Sequence, residues 1–508
     1  MEDIRRLKVA GRIGPVEEAV AEVLVLGAWE GEGKLLRQAR RVDERAGGRI
    51  KEALASGDFK GEFKETLLLY TPDGSPWRRI LVVGLGKRGD ITLDRVRQAI
   101  GTAARKVRDM GIKEGMSLLL GEAPGSLDYE DWVQAQVEAA ALATHQFLQY
   151  CTKDVDKLKQ LESWTLVEPD SSRETIFNRA VEKGSALAAA ANYMKWLQGL
   201  PANHATPTFL AEQAKQIAKQ DGYKCKVMGP DEIRKLGMGA MWGVAQGSDE
   251  PCRFIILEAK VSNAAPWIGI IGKGVTFDSG GLSLKPAAGM MEMKYDMSGA
   301  AAVLGLFKGL KNIERRVNIV GAIPAVENIP SAHSTKPGDI HTSYSGKTIE
   351  VLNTDAEGRL ILADALTYVA RTYEPEAMID LATLTGAVVV ALGHYAAALL
   401  SNDDELIEQI ETAAERTGER VWQLPLWSEY REHLKSSFAD IKNIGDSNAG
   451  AGTITAAWFL NEFVEDRKWA HIDIAGTAFW DRDRPYIPKG PSGYGVRLLA
   501  DLIRHWEI

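Results

Sequence analysis

Hydrophobic positions fall into two rhythms along this chain. Short apolar blocks occupy Ala21–Gly27, Glu65–Tyr70 and Arg79–Gly84, while apolar residues recur at helical spacing over 33–55, 92–111 and 129–149. The blocks predict strands and the 3.6-residue period predicts helices, so the first third of the chain is expected to be a small α/β domain with a largely covered sheet. A long helical stretch over 173–199 then meets Gly199-Leu-Pro201-Ala-Asn203-His-Ala-Thr206-Pro207, whose prolines stop it. Beyond it the alternation resumes. Strands are predicted at Phe254–Leu257, Trp267–Ile271, Val317–Ile323 and Ala377–Leu381, and helices near 208–220, 298–311, 359–372 and 454–465. The expected organisation is an N-terminal α/β domain over 1–170, a connecting helix over 171–199 and a larger C-terminal α/β domain over 200–508.

Two stretches imitate other functions. Gly84-Leu-Gly86-Lys-Arg-Gly89 matches a dinucleotide-binding fingerprint directly after a predicted strand. The helix of such a fold opens inside the glycine turn, whereas Asp90-Ile-Thr92 intervenes here, so the reading is a plain glycine turn. Leu381–Leu400 has no charged residue and is long enough to span a bilayer. Its threonines, glycines and His394, with Asp380 just before it, instead predict a buried strand, loop and helix, and no membrane partner is expected.

Composition narrows the class further. Hydrophobic residues at 45% and charged ones at 26% describe an ordinary globular protein. A net charge of -8 disfavours a general DNA-binding surface. The three cysteines, Cys151, Cys225 and Cys252, show no C-x-x-C spacing, which argues against a disulfide framework and against a thiolate zinc site. The start, Met-Glu-Asp-Ile-Arg-Arg, has no apolar segment after a basic one, so a cytoplasmic location is expected.

The chemistry concentrates in Asn353-Thr354-Asp355-Ala356-Glu357-Gly358-Arg359-Leu360, between an alternating β-branched run, Lys347–Asn353, and the apolar helical pattern of Leu360–Ala370. Two carboxylates two residues apart cannot share a helix face, but in an extended segment they project to one side. Gly358 is expected to ease the turn. Taken alone, the octapeptide also fits an acidic helix N-terminus. A second stretch, Gly272-Lys273-Gly-Val-Thr-Phe-Asp278-Ser-Gly280-Gly281-Leu-Ser-Leu-Lys285, begins at the carboxyl end of the predicted strand Trp267–Ile271 and leads to Met293-Lys-Tyr-Asp296-Met-Ser-Gly299. Open α/β sheets place ligands at such ends, and the phosphate-loop pattern G-x-x-x-x-G-K-[ST] is absent. Asp278, Asp296, Asp355 and Glu357 packed together would repel one another strongly, and two divalent cations would neutralise them. With no H-E-x-x-H, the centre is carboxylate-dominated, which suits Mg or Mn and leaves Zn open.

These stretches resemble the signatures of the leucine aminopeptidase family, also called cytosol aminopeptidases. The resemblance extends through Asn203-His-Ala-Thr-Pro207, Asp380-Leu-Ala-Thr-Leu-Thr-Gly386, Ala451-Gly-Thr-Ile-Thr-Ala-Ala457, Trp469-Ala-His-Ile-Asp-Ile-Ala-Gly476 and Gly493-Tyr-Gly-Val-Arg497, and so covers 200–508. It implies a central mixed sheet flanked by helices in the catalytic domain, a homohexamer supported by the N-terminal domain, and two divalent metal ions per subunit, Mn or Zn with Mg or Co as alternatives. Asp278 and Glu357 would bridge the two ions, Lys273 and Asp296 would complete one site, and Asp355 the other. Lys273 would bind as a neutral amine, and its deprotonation at pH 7 costs about 4.6 kcal/mol before coordination offsets it.

The implied reaction is release of N-terminal residues from peptides with a free N-terminus, by attack of a metal-bridged water or hydroxide on the peptide carbonyl. Lys285 would stabilise the oxyanion. Arg359 would hold bicarbonate as general base through its bidentate fork. Met293, Asn353, Ala356, Thr383 and Gly386 would line the pocket for the first side chain, and an apolar, adaptable pocket implies a leucine-like preference. Because the substrate amine must be neutral, activity is expected to rise above its pKa, about 7.7 to 8.0. Gly393-His394-Tyr395 and Gly450-Ala-Gly452 depart from the usual family wording, which bears on fine specificity. The competing readings are another di-metal hydrolase on the same carboxylates and a DNA-binding regulator on the same fold.

Overall fold

The structure, a computed structural model, describes residues 7–507 apart from 33, 34, 36, 122–124, 126 and 447. The chain divides into two compact units. The first comprises Met1–Asn192 with Arg416–Gly418 and Asp481–Lys489, and the second Tyr193–Glu415 with Glu419–Trp480 and Gly490–Ile508.

In the first unit, β1 (Lys8–Ile13), β2 (Ala21–Ala28), β3 (Thr66–Tyr70), β4 (Trp77–Gly84), β5 (Glu114–Leu118) and β6 (Ser163–Glu168) form one sheet in the order β1-β6-β5-β2-β4-β3. Only β3 runs antiparallel to its neighbour. Periodicity misses β1, β5 and β6; glycine breaks the apolar runs of β1 and β5, and β6 is a short Ser-Trp-Thr-Leu-Val-Glu run. A Cβ on Gly11 would lie 2.7 Å from the Phe177 ring, and one on Gly115 would lie 2.5 Å from the Trp164 ring; the glycines make room for aromatic packing at the expense of the strand signal. The helix expected over 33–55 is broken, with Arg37–Arg45 and Arg49–Ser56 separated by Gly47 and Gly48 at φ +73° and +77°. The helix expected to reach 149 ends at Ala143.

The glycine turn after β4 has a packing cause. A Cβ on Gly84 would fall 1.9 Å from Glu62 O, so the backbones of the two segments pass too closely for any side chain. The following helix, Leu93–Asp109, begins only after Thr92, which accepts from Arg95 N at 3.1 Å. That start lies well beyond the glycines.

In the second unit, β7 (Lys224–Met228), β8 (Arg253–Ala259), β9 (Trp267–Gly272), β10 (Gly274–Asp278), β11 (Asn318–Asn328), β12 (Asp339–Thr342), β13 (Thr348–Val351), β14 (Ala377–Ala382), β15 (Ala397–Ser401), β16 (Val421–Gln423), β17 (Ile441–Lys442) and β18 (Lys468–Asp473) form two sheets. The larger runs β16-β15-β18-β14-β9-β11-β8-β7, with β10 on β11, and β12-β13-β17 form the smaller. The larger sheet is mixed. Its centre, β18-β14-β9-β11, is parallel, and antiparallel pairs flank it at β15–β18 and β11–β8.

Parallel strands buried on both faces read as continuous apolar runs, as Trp267-Ile-Gly-Ile-Ile-Gly272 does. Helices cover the two faces. Gly269 turns towards Val369 of the helix Gly358–Tyr373, while Gly321, one register step over from its partner Val320, turns towards Val303 and Phe307 of the helix Ser298–Gly309. Leu381–Leu400 resolves into the end of β14, the helix Gly386–Leu392 and the start of β15. No helix among the described residues is long and apolar enough to cross a membrane.

Candidate metal centre

The parallel strands of the larger sheet end together, and each delivers a polar residue at its carboxyl end. Lys273 follows β9, Asp278 closes β10, Asn328 closes β11, Thr383 follows β14 and Asp473 closes β18. Asp296 precedes the helix Ser298–Gly309, and Asp355 and Glu357 precede the helix Gly358–Tyr373. Close backbone approach holds these ends together. A Cβ on Gly272 would meet Gly299 O at 2.3 Å and one on Gly299 would meet Leu381 O at 2.1 Å, while Lys273 N donates to Leu381 O and Ala300 N to Lys273 O.

Asp355 and Glu357 converge by a route different from the expected pleat. Asp355 N donates to Asn353 Oδ1 at 2.8 Å and Ala356 N to Asn353 O at 3.2 Å, so the acids sit on a turn, and Glu357 already has helical angles (φ -77°, ψ -34°). Gly358 does not serve the turn as expected either. It is the first residue of the helix, and a Cβ there would lie 2.5 Å from Lys273 Cε. Glycine is required because the Lys273 side chain passes over it.

One carboxylate oxygen each from Asp278, Asp355 and Glu357 lies within 4.8 Å of the others. Lys273 Nζ is 2.8 Å from Asp296 Oδ1 and 2.9 Å from Glu357 Oε1, and donates to Thr383 O at 2.8 Å. Lys285 Nζ is 2.8 Å from Asp278 Oδ2 and 2.6 Å from Asp355 Oδ1. Four carboxylates thus face two lysines in a buried cluster, with Lys273, Asp278, Asp296 and Glu357 each no more than 5% exposed.

Burial and the charge excess perturb several members of the cluster. Burial and the neighbouring carboxylates push Glu357 and Asp296 above the ordinary carboxyl range despite Lys273. Burial opposes the charge on Lys273, but Asp296, Glu357 and Asp278 outweigh it and raise its pKa, and Asp278 and Asp355 do the same for Lys285. Asp296 Oδ2 and Glu357 Oε2 are buried without a hydrogen-bond partner. Orphan buried anionic oxygens are costly, and hard divalent cations take such oxygens as ligands, so the donor set fits a pair of them.

Arg359 is 7% exposed, and burial pushes it down to about 10 against the pull of Glu357 and Asp473. Its Nη1 donates to Asn443 O at 2.8 Å, while its buried Nε has no partner. A donor is thus left for a planar oxyanion. Of the residues expected in the side-chain pocket, Thr383 touches the cluster directly, its Oγ1 donating to Asp296 Oδ1 at 2.7 Å. Asn353 organises the acidic turn, and Ala356 lies within it. Half-buried Met293 accepts from Asp296 N at 3.3 Å through its carbonyl, and Gly386 stands exposed at the start of its helix.

Sequence reasoning missed two asparagines. Asn328 Nδ2 donates to Asp278 Oδ1 at 2.8 Å and to Thr354 O at 3.0 Å, tying the two acidic segments together. Asn443 Oδ1 accepts from Leu352 N at 2.9 Å, and its Nδ2 donates to Asn353 O at 2.7 Å. The position of Asn328 at the end of the longest apolar strand was the available signal; Asn443 lies far along the chain and had none.

Comparison with known proteins places the whole chain in one family. The model of the cytosol aminopeptidase family catalytic domain matches residues 192–500, and that of the family's N-terminal domain matches 23–154. Proteins named as probable cytosol aminopeptidases from Alkaliphilus oremlandii and a Geobacter species are 42% and 43% identical, over 97% and 96% of this chain and 98% of each relative. A tomato leucine aminopeptidase mutant superposes with a TM-score of 0.87 at 31% identity, over 99% of this chain and 97% of its own. The bottromycin maturation enzyme BotP, solved in complex with Mn, gives 0.83 at 31% identity, over 96% and 99%.

Proposed function

Because this chain belongs to the cytosol aminopeptidase family, and is thereby a metal-dependent exopeptidase acting at peptide N-termini, we propose that the buried carboxylate cluster is its catalytic centre. The observation that supports this reading is the pair of partnerless buried oxygens, Asp296 Oδ2 and Glu357 Oε2, amid four acids that two lysines do not neutralise. Asp278 and Glu357 would be shared between two ions, Lys273 and Asp296 would complete one site, and Asp355 the other. Divalent ions held there, Mn or Zn, would supply Lewis-acid polarisation of the scissile carbonyl and an activated water.

The chain's own residues do the rest. Lys285, a charged donor at the partly exposed rim of the cluster, hydrogen-bonds the oxyanion that forms as the carbonyl is attacked. Arg359 holds bicarbonate, which supplies a proton acceptor when bound, through the donor that the protein leaves unused. Thr383, Asn353, Ala356, Met293 and Gly386 receive the first side chain, with a leucine-like preference. A homohexameric assembly and a cytoplasmic location complete the reading. A DNA-binding role or phosphoester hydrolysis is not favoured.

The test is hydrolysis of leucine p-nitroanilide by metal-stripped protein titrated with Mn or Zn, beside Lys273→Ala and Glu357→Ala. Restoration in the wild type and none in either variant supports the assignment. A folded, replenished wild type that stays inactive sinks it.

A further inference from the structure

Thr383 turns its carbonyl and its hydroxyl on two of the proposed metal ligands, the carbonyl accepting from Lys273 and the hydroxyl donating to Asp296. Thr383 itself lies on the connection between β14 and the helix Gly386–Leu392, and something must hold that connection in place. Asp473 lies beside it, because β14 and β18 are parallel with Ala382 in register with Asp473, so the strands end level. The Asp473 side chain is fully buried, and its hydrogen bonds reach towards this connection or its own. Its Oδ1 accepts from Leu384 N at 3.1 Å and from Ala475 N at 3.2 Å, and its Oδ2 accepts from Thr385 Oγ1 at 2.6 Å.

Thr385 is fully committed. Its single hydroxyl proton goes to Asp473, so the 2.9 Å contact with Thr453 Oγ1 has Thr453 as donor, and Val388 N donates to the same oxygen at 3.2 Å as the helix N-cap. Asp473 is thus anchored on one side to the helix Gly452–Asn461 through Thr453 and on the other to the residues immediately after Thr383. Burial raises the Asp473 pKa above the ordinary carboxyl value, and His471 and the bonds from Thr385, Leu384 and Ala475 only partly oppose it. His471 is itself held by Asp380 at 2.7 Å.

We infer that Asp473 is a positioning residue for the metal centre: by fixing Leu384 and Thr385 it sets Thr383 so that its carbonyl orients Lys273 and its hydroxyl orients Asp296. The inference rests on the ligand assignment proposed above. It assigns Asp473 to one cation site only, because the hydrogen bonds of Thr383 to the cluster go to Lys273 and Asp296 and not to Asp278 or Asp355. Thr383 O accepts an N–H from Lys273 whether the side chain is an ammonium or an amine. The orientation therefore persists when the lysine loses its proton to become a ligand. Partners that orient metal ligands are typically worth a factor of about 10 to 100 in affinity.

The test is calorimetric titration of the metal-free full chain with Mn alone. The wild type is expected to take two ions. Asp473→Ala and Thr385→Val should each weaken one of them by about 10 to 100-fold and leave the other within a few-fold. Asp473→Asn should restore the weakened site, because its amide oxygen still accepts the two backbone N–H groups and its nitrogen still meets Thr385. Thr385→Ser should restore it likewise. Unchanged affinity in both disruptive variants overturns the inference alone, and so does equal weakening of both sites, the signature of a merely structural loss. If Asp473→Ala does not fold, Thr385→Val decides. A wild type that takes fewer than two ions, or a Lys273→Ala protein that still takes two with wild-type affinity, overturns the ligand assignment itself.

Discussion

Lys273 and Lys285 are the same residue type set against the same acids, yet their surroundings give them different work. Lys273 is 3% exposed and has three acceptors around one nitrogen, whereas Lys285 keeps 20% of its side chain exposed at the rim. The buried lysine can be matched only by a fixed set of partners, and the rim lysine can reach incoming substrate. Substituting Lys285→Met should lower kcat by about 10² to 10³-fold, the usual loss for an oxyanion donor. Removing a positive charge beside Asp278 and Asp355 should leave Mn affinity unchanged or tighter. Steady-state kinetics beside calorimetry checks both, and weakened metal binding would place Lys285 among the structural supports instead. The acids were legible as a group because carboxylates packed together demand counter-charge, and the two lysines through the resemblance of the stretch that carries them. Asn443 and Asp473 were not, because a lone amide or acid carries no spacing that distinguishes a support from a surface residue, and Asn328 had only its place at the end of a long apolar strand.

At the scale of elements, two helices carry the site, and each is tied to the sheet by a feature with a measurable cost. The helix Ser298–Gly309 approaches β9 and β14 so closely that Gly299→Ala would place a methyl carbon 2.1 Å from Leu381 O and 2.6 Å from Lys273 N. Backbone cannot yield as a side chain does, so a loss of about 1 to 3 kcal/mol is expected, together with weakened metal binding; a denaturation curve matching the wild type would refute the close approach. The helix Gly358–Tyr373 is pinned by Asp364, which is fully buried and accepts from Met241 N at 2.8 Å and Tyr344 N at 2.7 Å.

Burial pushes Asp364 from its ordinary value up to about 7, and those backbone donors only partly oppose it. The unfolded chain releases this proton near pH 4, while the folded chain holds it to about 7. Between those values the native state binds more protons, so this group's contribution to stability declines as pH rises. Thermal unfolding of the wild type and Asp364→Asn should therefore show the balance moving towards the variant from pH 5 to pH 8. A gap that stays constant would mean that Asp364 is already ionised at pH 5. The alternation of strands and helices was readable because the central strands are continuous apolar runs. The turn at Asp355 was not, because it depends on the Asn353 side chain folding back on Asp355 N, nor was the close approach at Gly358, which depends on Lys273 some eighty residues away in sequence.

For the whole molecule, four acids gathered beside the strand ends leave a buried excess of negative charge that, on the proposed reading, divalent ions would balance. The net charge of -8 is spread over 508 residues, but Asp278, Asp296 and Glu357 are buried where water cannot screen them. In the absence of cations Lys273 and Lys285 offset their repulsion in part, and burial, together with the repulsion that remains, raises the pKa of Glu357 and Asp296. Cations that bind the folded chain and not the unfolded one must then stabilise the fold, by about 2.7 kcal/mol at a hundredfold excess over the dissociation constant. Chelation is accordingly expected to abolish activity and lower the unfolding temperature together, and Mn or Zn should restore both over the same concentration range. Glu357→Gln, which removes the charge that both sites would share, should raise metal-free stability by relieving the repulsion while blunting the gain on adding metal. That opposite response separates an electrostatic centre from a packing one: if the variant is less stable than the wild type without metal and gains as much from it, the carboxylate is holding the fold by contact and not by charge.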